Sequence, residues 1–173
     1  MTIAIIGAGN VGKTLGTALR AKGHNVIFGS RDPANRTDRN VKNIADALAG
    51  AEAMILATPW QATEALVCEH AGALAGKIVI DATNAWNAEL GGRTSSEIVA
   101  DLVPGARLVK AGNTLGADTL GADPHEAGGR RVLFVSGDDA SAKAAVIELL
   151  DDAGFFPIDL GDLVTGGRMQ QLG

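Results

Sequence analysis

Short, almost continuous apolar runs alternate along the chain with longer segments whose apolar residues recur at helical spacing. Apolar runs rich in valine and isoleucine are typical of strands in a parallel sheet, because helices cover both faces of such a sheet. The runs predict strands at Ile3–Ile6, Asn25–Gly29, Ala53–Ala57, Lys77–Asp81, Arg107–Ala111, Arg131–Ser136 and Phe155–Asp159. The segments between them predict helices at Val11–Ala21, Asn43–Leu48, Gln61–Leu74, Thr94–Leu102 and Ala140–Ala153.

Alternation of strands and helices with short connections predicts an α/β fold, a Rossmann-type doubly wound and mostly parallel sheet. No internal repeat or linker divides the sequence, so we expect a single domain over residues 1–173. Two stretches lack the pattern: Arg31–Lys42 is polar and basic, and Thr114–Gly129 is rich in glycine. Loops of this length usually bind a ligand or move. Leu160–Gly173 begins as a helix and then stops, which leaves open whether the sequence is truncated at the C-terminus or the tail packs on a partner subunit.

Composition narrows the class of protein and of partner. Apolar residues make up 46% of the chain and charged residues 20%, which agrees with a folded globular domain. A net charge of −5 argues against nucleic acid as a partner. The chain has no apolar run near the ~20 residues that span a bilayer, and no basic leader. Cys68 is the only cysteine, which excludes a disulfide framework and a zinc site built from cysteines. With these features we expect a cytoplasmic protein that has no membrane association, and we expect no metal site.

The strongest motif follows the first predicted strand, where a G-x-G-x-x-G sequence opens the first predicted helix. In this setting the first glycine permits the tight turn, the second lets a pyrophosphate approach the backbone, and the third allows the helix to pack against the strand. The N-terminus of the helix then binds the phosphates. The residues expected to hold the dinucleotide here are Gly7, Gly9, Asn10, Val11 and Gly12.

The end of the second predicted strand indicates which dinucleotide binds. An NAD site usually carries an acidic residue there, whereas this chain has Ser30 and Arg31. A hydroxyl and a guanidinium suit a 2′-phosphate, and Arg36 in the following loop adds positive charge. This pattern favours NADP. The alternative is a solvated basic loop in which Asp32 contacts the ribose of NAD.

The third predicted strand is followed by Thr58, Pro59 and Trp60 at the edge of the expected ligand crevice. Thr58 and Pro59 are expected beside the nicotinamide ribose or the adjacent phosphate. Trp60 has two interpretations, since it could stack on a ligand or be buried at the start of a helix.

Polar residues at the ends of the next two strands are candidates for chemistry at the nicotinamide: Asn84, Lys110 and Asn113. Each could equally be a turn residue without a catalytic role. A dehydrogenase acting on an alcohol needs a proton acceptor, and Lys110 is the best candidate for one. His24 and His70 are expected to be structural, which leaves His125 as the accessible histidine. Hydride transfer between two bound rings depends mainly on proximity and orientation, and therefore tolerates a site without a general base.

Residues 5–12, 29–31, 58–60, 81–84, 109–114 and 156–163 together resemble the coenzyme F420-dependent NADP oxidoreductases. The resemblance implies hydride exchange between NADPH and the deazaflavin F420, usually by a homodimer. Members of the family commonly continue beyond this length into further C-terminal helices, and often have an aromatic residue where this chain has Gly112. By the resemblance, NADP is held by Gly7, Gly9, Asn10, Val11, Gly12, Ser30, Arg31, Thr58 and Pro59, with Asn84 and Asn113 near the second ring.

Other functions remain open from the sequence. The chain could be a non-catalytic NADP-binding redox sensor or regulatory module, or an NADP-dependent dehydrogenase of a small carbonyl substrate. A flavin or a ferric complex could replace F420 as the small-molecule hydride acceptor. Space beside the nicotinamide distinguishes a catalyst from a sensor. A catalyst needs an open pocket framed by Asn84, Asn113 and Thr114–Gly129, whereas a sensor could close it.

Overall fold

Within residues 1–35 and 40–172, which the computed structural model describes, eight strands form one sheet and two more form a short hairpin. The strands are β1 (Thr2–Ile6), β2 (Asn25–Ser30), β3 (Val41–Asn43), β4 (Ala53–Leu56), β5 (Ile78–Asp81), β6 (Arg107–Ala111), β7 (His125–Glu126), β8 (Gly129–Arg130), β9 (Val132–Gly137) and β10 (Phe156–Asp159). The helices are α1 (Asn10–Ala21), α2 (Ile44–Ala49), α3 (Trp60–Leu74), α4 (Ser95–Leu102), α5 (Ala117–Gly121), α6 (Ala140–Asp152) and α7 (Thr165–Gln170).

The order across the sheet is β10-β9-β6-β5-β4-β1-β2-β3. All pairs from β3 to β6 are parallel, whereas β9 runs antiparallel to β6 and β10 runs parallel to β9. The predicted Rossmann-type, mostly parallel sheet is therefore confirmed. The chain leaves β1 towards β2 and β3 and then returns to β4 on the other side of β1. The carboxyl ends of β1 and β4 consequently mark the point where ligands bind in sheets of this kind.

Strand β1 shows why its last four residues, Ile3 to Ile6, are all apolar. Ile3 and Ile5 belong to a core shared with α1, α5 and α6, whereas Ala4 and Ile6 belong to a core shared with α2, α3 and α4. Successive side chains point to opposite faces of a strand, so a sheet covered on both faces buries all four. Each is at most 1% exposed.

Helix α4 begins at a sequence that satisfies its first backbone groups. The Thr94 hydroxyl accepts a hydrogen bond from the Glu97 backbone N–H at 3.1 Å, and the Glu97 carboxylate accepts one from the Thr94 N–H at 2.7 Å. This capping box fixes where the helix starts after the long connection from β5.

The two stretches without a clear pattern contain elements that the sequence did not predict. The stretch Arg31–Lys42 ends in the first two residues of β3, a short edge strand paired with β2. The stretch Thr114–Gly129 contains α5, whose Leu120 is buried, and the hairpin of β7 and β8. These elements are only two to five residues long, too short to produce a periodic signal. Among the described helices, none combines the length and apolar character needed to cross a membrane.

Candidate functional site

A cavity of about 1330 Å³ opens at the carboxyl ends of β1 and β4. Its lining comes from the loop after β1, the end of β2, the start of α3 and the loop after β5. The predicted site residues that line it are Gly7, Gly9, Asn10, Val11, Ser30, Arg31, Thr58, Pro59 and Asn84. The structure thus brings together most of the residues predicted from separate motifs, whereas Gly12, Lys110 and Asn113 lie outside the lining.

The glycine-rich loop is shaped by close backbone contacts. Gly7 has a φ of +108°, and a Cβ there would lie 2.3 Å from the Ala57 carbonyl oxygen. A Cβ on Gly12 would lie 2.0 Å from the Gly7 carbonyl oxygen, so the helix can pack this closely only without a side chain. Gly9 has open space where its Cβ would be, which leaves its backbone accessible from the cavity. Each glycine of the motif therefore has the environment that dinucleotide binding requires.

Helix α1 offers an anion-binding end to the cavity. Its N-cap is Gly9, no side chain caps its first N–H groups, and its first turn contains no acidic residue. The first four N–H groups of a helix have no partner within the helix, and its dipole is positive at that end. Asn10 and Val11, the first residues of α1, line the cavity at this point.

The end of β2 supplies a hydroxyl and a cation to the same cavity. Ser30 is buried, and its Oγ accepts a hydrogen bond from the Asp32 N–H at 3.1 Å. Arg31 is exposed, lines the cavity and forms no ion pair with a described residue. Asp32 is not part of the lining, and its carboxylate accepts a hydrogen bond from the Asn35 amide at 2.6 Å. This arrangement favours a phosphate over a ribose hydroxyl. Arg36, also predicted to contact the cofactor, lies outside the described residues.

After β4, Thr58 and Pro59 directly precede α3, and Pro59 is the N-cap of this helix. The hydroxyls of Thr58 and Thr63 are 3.0 Å apart, and the Thr63 hydroxyl donates to the Pro59 carbonyl at 3.3 Å. Trp60 is half-buried and packs against the core beneath α3 rather than lining the cavity. Of its two interpretations, the structure supports the buried one.

Asn84 and Asn113 are paired across the ends of β5 and β6. The Asn84 amide donates to the Asn113 carbonyl at 3.0 Å, and the Asn113 amide donates to Asn84 Oδ1, also at 3.0 Å. The Asn113 amide donates as well to the Gln170 carbonyl in α7 at 2.9 Å. Asn113 is buried behind Asn84, which alone of the two lines the cavity. This geometry favours a positioning role for Asn113 and contact with a ligand for Asn84.

Lys110 lies beneath the cavity in a buried ion pair. Its Nζ is 3.2 Å from Asp81 Oδ2 and also donates to the Thr83 carbonyl. Asp81 accepts further hydrogen bonds from the Thr83 N–H and hydroxyl and from the Ser96 hydroxyl. Burial raises the pKa of the Asp81 carboxyl, but the Lys110 charge and these hydrogen bonds outweigh it and hold the pKa below its ordinary value of 3.8. Lys110 is 1% exposed and absent from the lining, so the geometry favours a structural role over the expected proton-acceptor role.

The C-terminal segment holds the loop that follows β5. The Arg168 guanidinium donates to the Gly92 carbonyl at 2.8 Å, and Gln171 Oε1 accepts a hydrogen bond from the Ser95 N–H at 2.9 Å. Together with the bond from Asn113 to Gln170, these contacts connect the C-terminal segment to Asn113 after β6 and to the residues around the start of α4.

The structure adds lining residues that the sequence analysis did not single out. One face of α3 lines the cavity at Ala62, Ala65, Leu66, Glu69 and His70, and the loop after β5 adds Trp86. His70, expected to be structural, therefore reaches the cavity, whereas His125 lies on the exposed hairpin beside Asp123. The helical spacing of the residues after Pro59 is the feature of the sequence that could have predicted this face of α3. The segment Thr114–Gly129 was expected to frame the pocket, but only its Ala117 lines the cavity.

Within residues 1–35 and 40–172, no group of three or more His, Cys, Asp or Glu side chains could hold a metal ion.

Comparison with known proteins places these features in a family. The family model described as NADP oxidoreductase, coenzyme F420-dependent, matches residues 2–85. A hypothetical protein of Sinorhizobium meliloti superposes with a TM-score of 0.89 at 42% identity, over 100% of this chain and 91% of that one. A candidate F420-dependent NADP reductase of Arthrobacter sp. FB24 superposes with a TM-score of 0.84 at 34% identity, over 98% of this chain and 90% of that one.

Curated relatives are longer. The metalloreductase STEAP3 of Rattus norvegicus is 32% identical over 177 aligned residues, which cover 98% of this chain. The metalloreductase STEAP2 of Homo sapiens is 29% identical over 99% of this chain. The chain spans 36% of the length of each of these relatives.

Proposed function

The chain belongs to the family of coenzyme F420-dependent NADP oxidoreductases, and from this premise we propose that it exchanges hydride between NADP(H) and coenzyme F420 or a related flavin-like acceptor. The observation that carries the proposal is one continuous cavity with two different ends. Arg31 and the N-terminus of α1 offer positive charge, whereas Asn84 and Trp86, which line the same cavity, are uncharged.

The residues at the charged end fit NADP. The N-terminus of α1 and the open backbone at Gly9 would hold the pyrophosphate. Ser30 and Arg31 would hold the 2′-phosphate, to which a guanidinium binds through two parallel hydrogen bonds. Thr58 and Pro59 would border the nicotinamide ribose.

When bound, NADPH supplies the hydride. The balanced reaction takes one hydride, that is, one proton with two electrons, from NADPH and one proton from water, and yields NADP⁺ and the dihydro form of the acceptor. The chain's own part is to hold the two rings against each other, since a reaction of this kind depends on proximity and orientation. Asn84, which is hydrogen-bonded to Asn113, would orient one ring.

The two alternative functions are less well supported. Reduction of a small carbonyl requires a proton donor at the new alcohol, and Lys110 is buried in its ion pair with Asp81. A non-catalytic sensor could close the space beside the nicotinamide, whereas here the cavity extends to Asn84 and Trp86.

Steady-state oxidation of NADPH by the purified protein, with F420 as acceptor, tests the proposal. NADH in place of NADPH, and riboflavin and a ferric chelate in place of F420, are run in parallel because curated relatives are metalloreductases. We expect turnover with NADPH and F420. Tight NADPH binding without turnover on any acceptor would contradict catalysis and favour the sensor.

The choice of dinucleotide has its own test in Arg31→Ala. Loss of a charge-assisted pair with the 2′-phosphate should weaken NADPH binding by roughly 10- to 100-fold and leave NADH binding unchanged. Lys42→Ala is the matched control, because Lys42 is an exposed cation on the neighbouring strand that does not line the cavity. An unchanged ratio of NADPH to NADH affinity in Arg31→Ala contradicts the assignment.

The homodimer and the cytoplasmic location expected from the sequence stay predictions. Light scattering after size exclusion measures the first directly.

A further inference from the structure

Trp86 stands out among the large apolar side chains of the described residues. Five of these are exposed, and Trp86 is the one that lines the cavity, with 59% of its surface accessible. The others, Met1, Phe156, Val164 and Met169, lie elsewhere. Exposure of an indole is unfavourable in water, so a ligand that covers it gains free energy from the apolar area it buries.

The local backbone holds Trp86 out of the core. A turn closes through the Ala88 N–H and the Ala85 carbonyl at 3.4 Å, with Trp86 and Asn87 as its two central residues. Asn87 has a φ of +53°, a conformation that asparagine tolerates at this position of a turn better than most residues. Ala85 is buried and anchors the turn.

The loop that carries Trp86 is also fixed farther along. The Arg168 guanidinium donates a hydrogen bond to the Gly92 carbonyl at 2.8 Å, and the first N–H of α4 donates one to Gln171 Oε1 at 2.9 Å. An exposed tryptophan on a turn anchored before and after is preorganised, and binding to it loses little conformational entropy.

The surroundings of Trp86 indicate what kind of ligand it meets. The loop after β5 contributes four residues to the cavity lining, and none of them is charged: Ala82, Thr83, Asn84 and Trp86. The Thr83 hydroxyl donates to Asp81, and the Asn84 amide is paired with Asn113. On this side of the cavity a flat aromatic ring therefore finds an indole surface beside a neutral amide.

We propose that Trp86 is the surface on which the planar ring of the acceptor stacks. This inference rests on the proposed function for the transfer of hydride, but binding of the ring to Trp86 can be measured without turnover.

The first experiment measures binding of F420 and of riboflavin to wild-type protein, Trp86→Phe and Trp86→Ala in the presence of NADP⁺. We expect Trp86→Ala to weaken the binding of both rings about tenfold, the upper range for loss of an aromatic contact. Trp86→Phe should weaken it by less than about threefold. NADPH affinity should stay within twofold in both variants. Phe156→Ala is the matched control, since Phe156 is an exposed aromatic on the edge strand β10, outside the cavity lining.

A second measurement reports contact directly. The chain has two tryptophans, so in Trp60→Phe protein the indole emission comes from Trp86 alone. Addition of riboflavin should quench this emission with the same dissociation constant as the first experiment gives, as expected for a stacked pair.

The outcomes separate the two proposals. Ring binding that depends on Trp86 without NADPH oxidation supports the stacking surface and overturns the hydride transfer. Equal ring affinity in wild type and Trp86→Ala, or no ring binding at all, overturns the stacking surface. A parallel loss of NADPH and ring affinity also overturns it, because Trp86 would then only maintain the shape of the cavity.

Discussion

Replacement of Lys110 by methionine tests whether this residue acts through structure or through proton transfer. Methionine keeps the length of the side chain but removes the charge, and leaves the Asp81 carboxylate buried beside an apolar group. Breaking a buried pair by removing one partner costs about 3–5 kcal/mol. Because the hydrogen bonds from Thr83 and Ser96 still stabilise Asp81, we expect a loss near the lower value, about 3 kcal/mol.

This loss corresponds to a decrease in Tm of about 6–12 °C for a domain of this size. Urea unfolding followed by circular dichroism at pH 7 measures the free energy of unfolding of both proteins. Lys143→Met is the matched control, since Lys143 pairs with Asp159 at 3.0 Å but its partner is 44% exposed. An exposed pair contributes about 1 kcal/mol or less. A loss in Lys110→Met no larger than in Lys143→Met would refute the structural role.

The pH dependence gives a second signature. In the wild type the pKa of Asp81 lies below its ordinary value, so its contribution to stability is fully present above the unfolded pKa and is lost only as pH falls through the folded pKa. Without Lys110, burial is opposed only by hydrogen bonds, and the folded pKa rises. The difference in stability between variant and wild type should therefore shrink as pH falls from 7 to below the ordinary value of 3.8, through the folded pKa of the variant. A difference that stays constant over this range contradicts the argument.

Three further substitutions test the glycine loop and the start of α4. Gly12→Ala places a Cβ 2.0 Å from the Gly7 carbonyl oxygen, and should lower the free energy of unfolding by about 1–3 kcal/mol in urea titrations. Gly9→Ala meets no atom within 4 Å, so we expect a wild-type urea midpoint but at least about tenfold weaker NADPH binding by calorimetry, and unchanged affinity would contradict the role of its backbone. Thr94→Ala removes the hydroxyl that accepts from Glu97 and should cost about 1 kcal/mol, whereas a Tm equal to the wild type would show that the cap is dispensable.

The sequence predicted those parts of the site whose physical cause is local. The apolar run of β1 and the spacing of Gly7, Gly9 and Gly12 depend on neighbouring residues, and both the strand and its turn lie where expected. The positions of Ser30 and Arg31 could be predicted for the same reason. The apolar run of β2 determines where the strand ends, and its carboxyl end borders the cavity.

What could not be predicted depends on pairing between distant segments. Lys110 follows an apolar run, and its burial becomes evident only once Asp81 is known to lie opposite it in the register of β5 and β6. The polar residues of β3 form a strand because they extend the edge beside β2, which no periodicity reveals. Trp86 reaches the cavity through a turn whose geometry depends on Asn87, and a single tryptophan in a loop sequence does not indicate its direction.

The burial of β1 between two cores has a consequence for amide hydrogen exchange. Its backbone N–H groups pair with strands on both sides beneath covered faces, so they should exchange only when the whole molecule unfolds. The turn at Trp86, largely exposed and closed by one long hydrogen bond, should exchange through small local openings instead. The glycine-rich loop is therefore attached to a strand whose amides report global unfolding, whereas the amides of the Trp86 turn on the same cavity report local opening.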